Sequence, residues 1–168
     1  RWAGAYVAER SAVRARQRNG TRPSVQFFVN ATKRWNPSGF AIQRGERYSV
    51  ATSADEFWVD GFVRVTPEGY EPRYDVLSPF VVAAGQCRSY LASSRPRLPA
   101  ARWFELVCGV AGEFRWAPQR PDDAGMLPLR EEEVVFFRVG LGVAFLANHT
   151  GELVCFANDA DSLYWNNR

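Results

Sequence analysis

From Val25 onward the apolar residues recur at alternate positions in short groups, a spacing that admits little besides β-strands. Val25/Phe27/Val29, Phe40/Ile42, Tyr48/Val50, Leu106/Cys108, Val143/Phe145 and Leu153/Cys155 each set their large side chains on one face of an extended segment. Val134-Val135-Phe136-Phe137 is an unbroken apolar block of strand length. Gly and Pro punctuate these segments, and many short strands divided in this way predict an all-β fold, a sandwich or a barrel. At 168 residues, 46% of them hydrophobic, the chain is long enough to bury one sizeable core. No apolar run approaches the roughly 20 residues that span a bilayer.

Residues 2 to 18 break the pattern. They lack Pro, are rich in Ala and Arg, and set Trp2, Tyr6 and Val13 near one helical face. Gly20 and Pro23 then stop it. The spacing predicts a helical arm over 1–22 and a β-domain over 23–168. The arm's apolar stripe is too thin for a membrane-surface helix and suits packing on protein. Two loops are expected between strands: a Pro-, Gly- and Tyr-bearing excursion from Thr66 to Pro79, and a shorter Pro-rich one from Ala92 to Ala101. Glu131-Glu132-Glu133 precedes the most aggregation-prone window of the chain and reads as its gatekeeper.

Charge excludes one class of partner. The net charge is +3, and apart from Lys33 every basic residue is Arg. Beyond the N-terminal segment these arginines are scattered among acids, which argues against nucleic acid. An enzyme needs a constellation of groups, and none is legible. The sole histidine, His149, lies within a sequon, and no nucleophile elbow, phosphate loop or HExxH occurs. Glu105, Glu113, Asp122 and Asp123 could in principle serve glycoside hydrolysis, but their spacing puts no two of them face to face. The expectation is a non-catalytic protein.

The compartment is more legible. Asn19-Gly20-Thr21, Asn30-Ala31-Thr32 and Asn148-His149-Thr150 are N-glycosylation sequons, and three in so short a chain point to a secreted or cell-surface protein. The chain opens on Arg1 instead of Met, as expected after removal of a signal peptide or excision from a longer polypeptide. Three cysteines, Cys87, Cys108 and Cys155, leave one over after a bridge forms. Cys155 sits in an apolar strand and reads as a buried thiol, so Cys87–Cys108 is the expected disulfide.

The densest chemistry lies at the end of the chain. Asn158-Asp159-Ala160-Asp161-Ser162-Leu163-Tyr164-Trp165-Asn166-Asn167 crowds hard oxygen donors into one loop directly after the apolar run Leu153-Val154-Cys155-Phe156. Ca²⁺ takes about 6–8 oxygens in a forgiving geometry, whereas nothing here offers the soft ligands of Zn²⁺. The same residues also make an ordinary turn, because Asn and Asp bond their own backbone. The spacing is not that of an EF-hand.

This loop resembles the calcium loop of the PA-IL-like family of calcium-dependent galactophilic lectins. The segment Trp35 to Val50 resembles that family's first strands, Trp58-Val59-Asp60 its tryptophan loop, and Trp103 to Val110 with Gly151 to Val154 two inner strands. The resemblance runs in broken pieces from about residue 24 to 168, and only the last loop is specific. It implies a jelly-roll-like β-sandwich that binds a sugar through one Ca²⁺. The implied ligands are the Asp159 carboxylate, the Leu163 carbonyl, the side-chain oxygens of Asn166 and Asn167, and a carbonyl near Val59 to Gly61. Asp60 and Asp161 stand as candidates for further anionic ligands. Trp58, Asp159, Ala160, Leu163 and Asn166 are the implied sugar contacts, with Tyr164 or Trp165 as further aromatic faces, although each of these aromatics suits a core better than a site. So few charges imply a weak site, with dissociation on the order of 10⁻⁴–10⁻³ M. The family reads galactose with a His and a Gln that Thr66 to Pro79 lacks. The expected ligand is thus a galactose-like or other hexose, on a glycan or glycoprotein. The alternative is a structural module that binds protein in an extracellular assembly. The family also continues into a final strand, implying further chain after Arg168 or a strand supplied by a neighbour.

Overall fold

The computed structural model describes residues 10–18, 24–60, 63–70, 95–112, 114–117, 125–128, 133–160 and 164. In chain order the strands are β1 (Arg10–Gln17), β2 (Val25–Asn30), β3 (Asn36–Ile42), β4 (Arg47–Thr52) and β5 (Trp58–Asp60). Next come β6 (Val63–Val65), β7 (Glu68–Tyr70), β8 (Trp103–Ala111) and β9 (Phe114–Ala117). The last are β10 (Gly125–Pro128), β11 (Val135–Arg138), β12 (Gly142–Leu146) and β13 (Gly151–Ala157). The described residues contain no α-helix, and so none long and apolar enough to cross a membrane. The expected all-β class holds.

Two antiparallel sheets carry the fold. One runs β12-β4-β1-β2, the other β11-β8-β13-β3 with β7 paired to β8 at its start. The alternation of the sequence now has a destination. Val13, Ala15, Phe27, Val29, Tyr48 and Val50 of the first sheet meet Phe40, Ile42, Leu106, Cys108, Leu153 and Cys155 of the second in one buried cluster. Beneath the second sheet lies another cluster, with Val107, Ala111, Val154 and Phe156 under Trp35, Ala101, Val134 and Tyr164. β8 and the end of β13 are therefore buried on both faces, which is why they read as continuous apolar runs. Gly109 makes room for this second layer, since a Cβ there would stand 2.7 Å from Val134 Cγ1.

Two expectations are corrected here. Residues 10–17, placed in a helical arm, form β1, paired to β2 on one side and β4 on the other. Val13 and Ala15 are buried while Arg14 and Arg16 are exposed, a period of two. Ladders on both edges outweigh the helix preference of Ala and Arg. Residues 1–9 lie outside the described set. The disulfide joins Cys108 to Cys155, not Cys87 to Cys108. These two cysteines face each other across the β8–β13 ladder, inside the core between the sheets. Register, not sequence distance, chose the pair. Cys87 lies outside the described residues.

Candidate functional site

The chain leaves the core at Ala157, and Asn158 fixes the start of the terminal loop. Asn158 is fully buried. Its Oδ1 accepts from Leu98 N–H at 2.9 Å, and its Nδ2 donates to the carbonyls of Leu98 (3.0 Å), Arg102 (3.0 Å) and Ala101 (3.4 Å). Its own amide donates to Glu105 O, and its carbonyl accepts from Phe104 N–H at 2.8 Å. One side chain thus binds the first residues of the candidate loop to segment 97–102. A buried amide with every polar atom paired is rigid, because any departure strands several groups at once.

Asp159 is the next residue, 1% exposed. Its carbonyl accepts from Arg97 N–H at 3.1 Å, and its Oδ1 accepts from Ala160 N–H at 2.7 Å. Arg97, whose N–H makes the first of these bonds, also brings a cation to this region. Its guanidinium lies over Phe156 (3.9 Å) and Trp35 (4.2 Å), with Tyr164 at 5.9 Å, and donates to Arg34 O. Tyr164 is fully buried and its hydroxyl donates to Ala157 O at 2.7 Å. Burial pushes its phenol up to about 12; Arg97 opposes the shift, and the Asp159 charge adds to it while the Asp159 backbone opposes it. Asp159, Arg97 and Tyr164 therefore share one desolvated electrostatic neighbourhood at the end of β13.

The tryptophan strand reaches the same place through Phe104. Trp58 Nε1 donates to Phe104 O at 3.0 Å, while Phe104 N–H serves Asn158. Phe104 has a φ of 59°, the left-handed region that a bulky residue enters at a cost of about 1–3 kcal/mol. Gly69 of β7 lies against this kink, where a Cβ would stand 2.5 Å from Trp103 O. So β5 and the 158–160 segment hang from one residue.

Of the expected ligands, the structure brings Asp159 and Ala160 together, both buried. Leu163, Asn166 and Asn167 lie outside the described residues, as do Asp161 and Trp165. Asp60 is described only as the backbone end of β5. Trp58 is corrected: its ring is fully buried in the core between the sheets, so it offers no face to a sugar, and buried Tyr164 offers none either. Among the described residues no three His, Cys, Asp or Glu side chains gather as a metal group. Among the described residues of this loop Asp159 is the one carboxylate, and the Asn158 amide is already spent on segment 98–102. Asn158, Arg97 and Phe104 are the residues sequence reasoning missed. Their partners lie tens of positions away, and only Asn158 was signalled by its place in the loop.

Of the sequons, Asn19 lies outside the described residues. Asn30 ends β2 with its Oδ1 accepting from both N–H and Oγ1 of Thr32 (2.9 and 2.7 Å), and Asn148 is exposed in the turn between β12 and β13. Comparison with protein-family models, curated proteins and solved structures found no match to this chain.

Proposed function

We propose that the chain is a calcium-dependent glycan-binding module of a secreted or cell-surface protein, on a jelly-roll variant of its two-sheet fold. The observation that carries this reading is Asp159, a carboxylate held at 1% exposure by backbone anchors on both sides. A charge so buried is costly unless a cation stands beside it. In the proposal Asp159 with Leu163, Asn166 and Asn167 would hold the ion. When bound, Ca²⁺ would supply a hard centre that exchanges water for two neighbouring sugar hydroxyls. The work of this chain is orientation: Asn158 and Phe104 fix the loop's first residues, and Tyr164 ties it back to β13. With Trp58 and Tyr164 buried, sugar specificity falls to other residues.

The test is thermal unfolding of wild type and Asp159→Ala in Ca²⁺ and in chelator, alongside a glycan array under both conditions. An ion that binds only the folded form, present at 100 times its dissociation constant, stabilises wild type by about 2.7 kcal/mol. Asp159→Ala, left with neutral oxygens, should gain nothing. Equal melting of wild type in both conditions, with no calorimetric heat on adding Ca²⁺, would reduce the loop to a turn.

One observation favours the protein-binding alternative. Phe28 is 59% exposed on β2, the last strand of its sheet. An array without glycan hits, together with loss of a partner on Phe28→Ser, would select that reading.

A further inference from the structure

Segment 95–102 has two sides. Asn158 pins one, and the other helps to wall an open cleft of about 460 Å³. Arg95, Arg102 and Arg138 line that cleft together with Tyr70 and Trp103. Among the described residues lining it none is acidic. The nearby carboxylate, Glu105, is 4% exposed and already committed, accepting from Arg138 Nε at 2.9 and 3.1 Å and from Arg102 N–H at 2.8 Å. That bond holds Arg138 at the rim and keeps it more firmly protonated than usual. Arg95 is exposed, and Tyr70 and Trp103 are half-buried, so the cleft combines surplus positive charge with aromatic wall.

We infer that this cleft is a subsite for an acidic saccharide, a pyranose bearing a carboxylate or sulfate. Guanidinium groups bind such anions by paired, charge-assisted hydrogen bonds, and an aromatic face covers the apolar side of the ring. The volume suits a one- or two-residue ligand, within the roughly 300–1,000 Å³ of small-molecule sites. The saccharide half of this inference rests on the glycan-binding reading; the anionic half rests on the cleft alone.

The test is calorimetric titration of the full chain with three probes: a neutral galactose disaccharide, its glucuronic-acid counterpart and its sulfated counterpart. Each is run in Ca²⁺ and in chelator, at low and high salt. Acidic probes should bind roughly tenfold tighter or more than the neutral one, the worth of a charged hydrogen bond. That preference should shrink at high salt and vanish in Arg95→Ala/Arg102→Ala, whose circular dichroism should match wild type. If the double variant misfolds, Arg95→Glu, a change at an exposed position, should by itself reverse the preference. The two acidic probes separate carboxylate from sulfate recognition. Neutral sugar binding in Ca²⁺ with no gain from acid overturns the subsite and leaves the calcium reading standing. Acidic binding that is equal in Ca²⁺ and chelator, with no heat on adding Ca²⁺ alone, supports the subsite and overturns the calcium reading. No binding by either acidic probe overturns the subsite.

Discussion

At Asn158 one side chain meets an N–H and three carbonyls of segment 98–102, all out of water. Removing it strands those groups, and each unpaired buried group costs about 1–3 kcal/mol. Asn158→Ala should therefore lose at least about 3 kcal/mol in denaturant unfolding; a loss below roughly 0.5 kcal/mol would show that water replaces it freely. Tyr164 gives a second residue-level expectation. Its phenol is raised to about 12 in the folded chain, above its unfolded value of about 10. The folded state then holds a proton that the unfolded state releases. The resulting stability is complete below about pH 10 and is lost as pH climbs toward 12. Tyr164→Phe should flatten that alkaline limb while giving up the bond to Ala157 O, about 1 kcal/mol at neutral pH. Alkaline unfolding curves of the two proteins that stay parallel would count against this account.

At the scale of elements, β1 carries the clearest prediction. Val13 is fully buried between the sheets, and Val13→Asp should unfold the domain, because it buries an uncompensated charge. A helical arm would tolerate that change with little more than local loss, so the circular dichroism of the variant decides between the two. The alternation made β2, β3, β4, β8, β11, β12 and β13 legible, whereas β7 lies inside Thr66 to Pro79, which was expected to be a loop. β1 was not legible, because Ala-Val-Arg-Ala-Arg suits helix and strand alike and only the flanking ladders decide. Trp58 was named as a sugar contact although its aromatic bulk favoured the core, and the core is where β8 holds it. The disulfide eluded the sequence for a related reason: Cys108 and Cys155 meet only through strand register. Peptide mapping without reduction should return these two cysteines linked, and Cys155→Ser should cost about 3–4 kcal/mol for the 47-residue separation. Recovery of Cys87 linked to Cys108 would contradict the ladder.

For the whole molecule, the proposed compartment predicts glycan on native material. Asn148, exposed in its turn, should carry it with no effect on the core, and mass spectrometry showing every sequon bare would remove the argument for secretion. The ladders have a further consequence, in the order of events during synthesis. β12 pairs with β4 from more than ninety positions away, and β13 bridges β8 to β3, so the first main sheet stays incomplete until β12 has emerged and the second until β13 has. Pairings this distant make folding slow. In the interval Cys108 has a thiol within reach, Cys87, twenty-one positions upstream, and a ring that short closes at slightly less entropic cost than the native one. The nascent chain therefore meets a wrong partner first and needs thiol exchange to correct it. Cys87→Ser should shorten oxidative refolding without changing its end point, and make the yield less dependent on an isomerase.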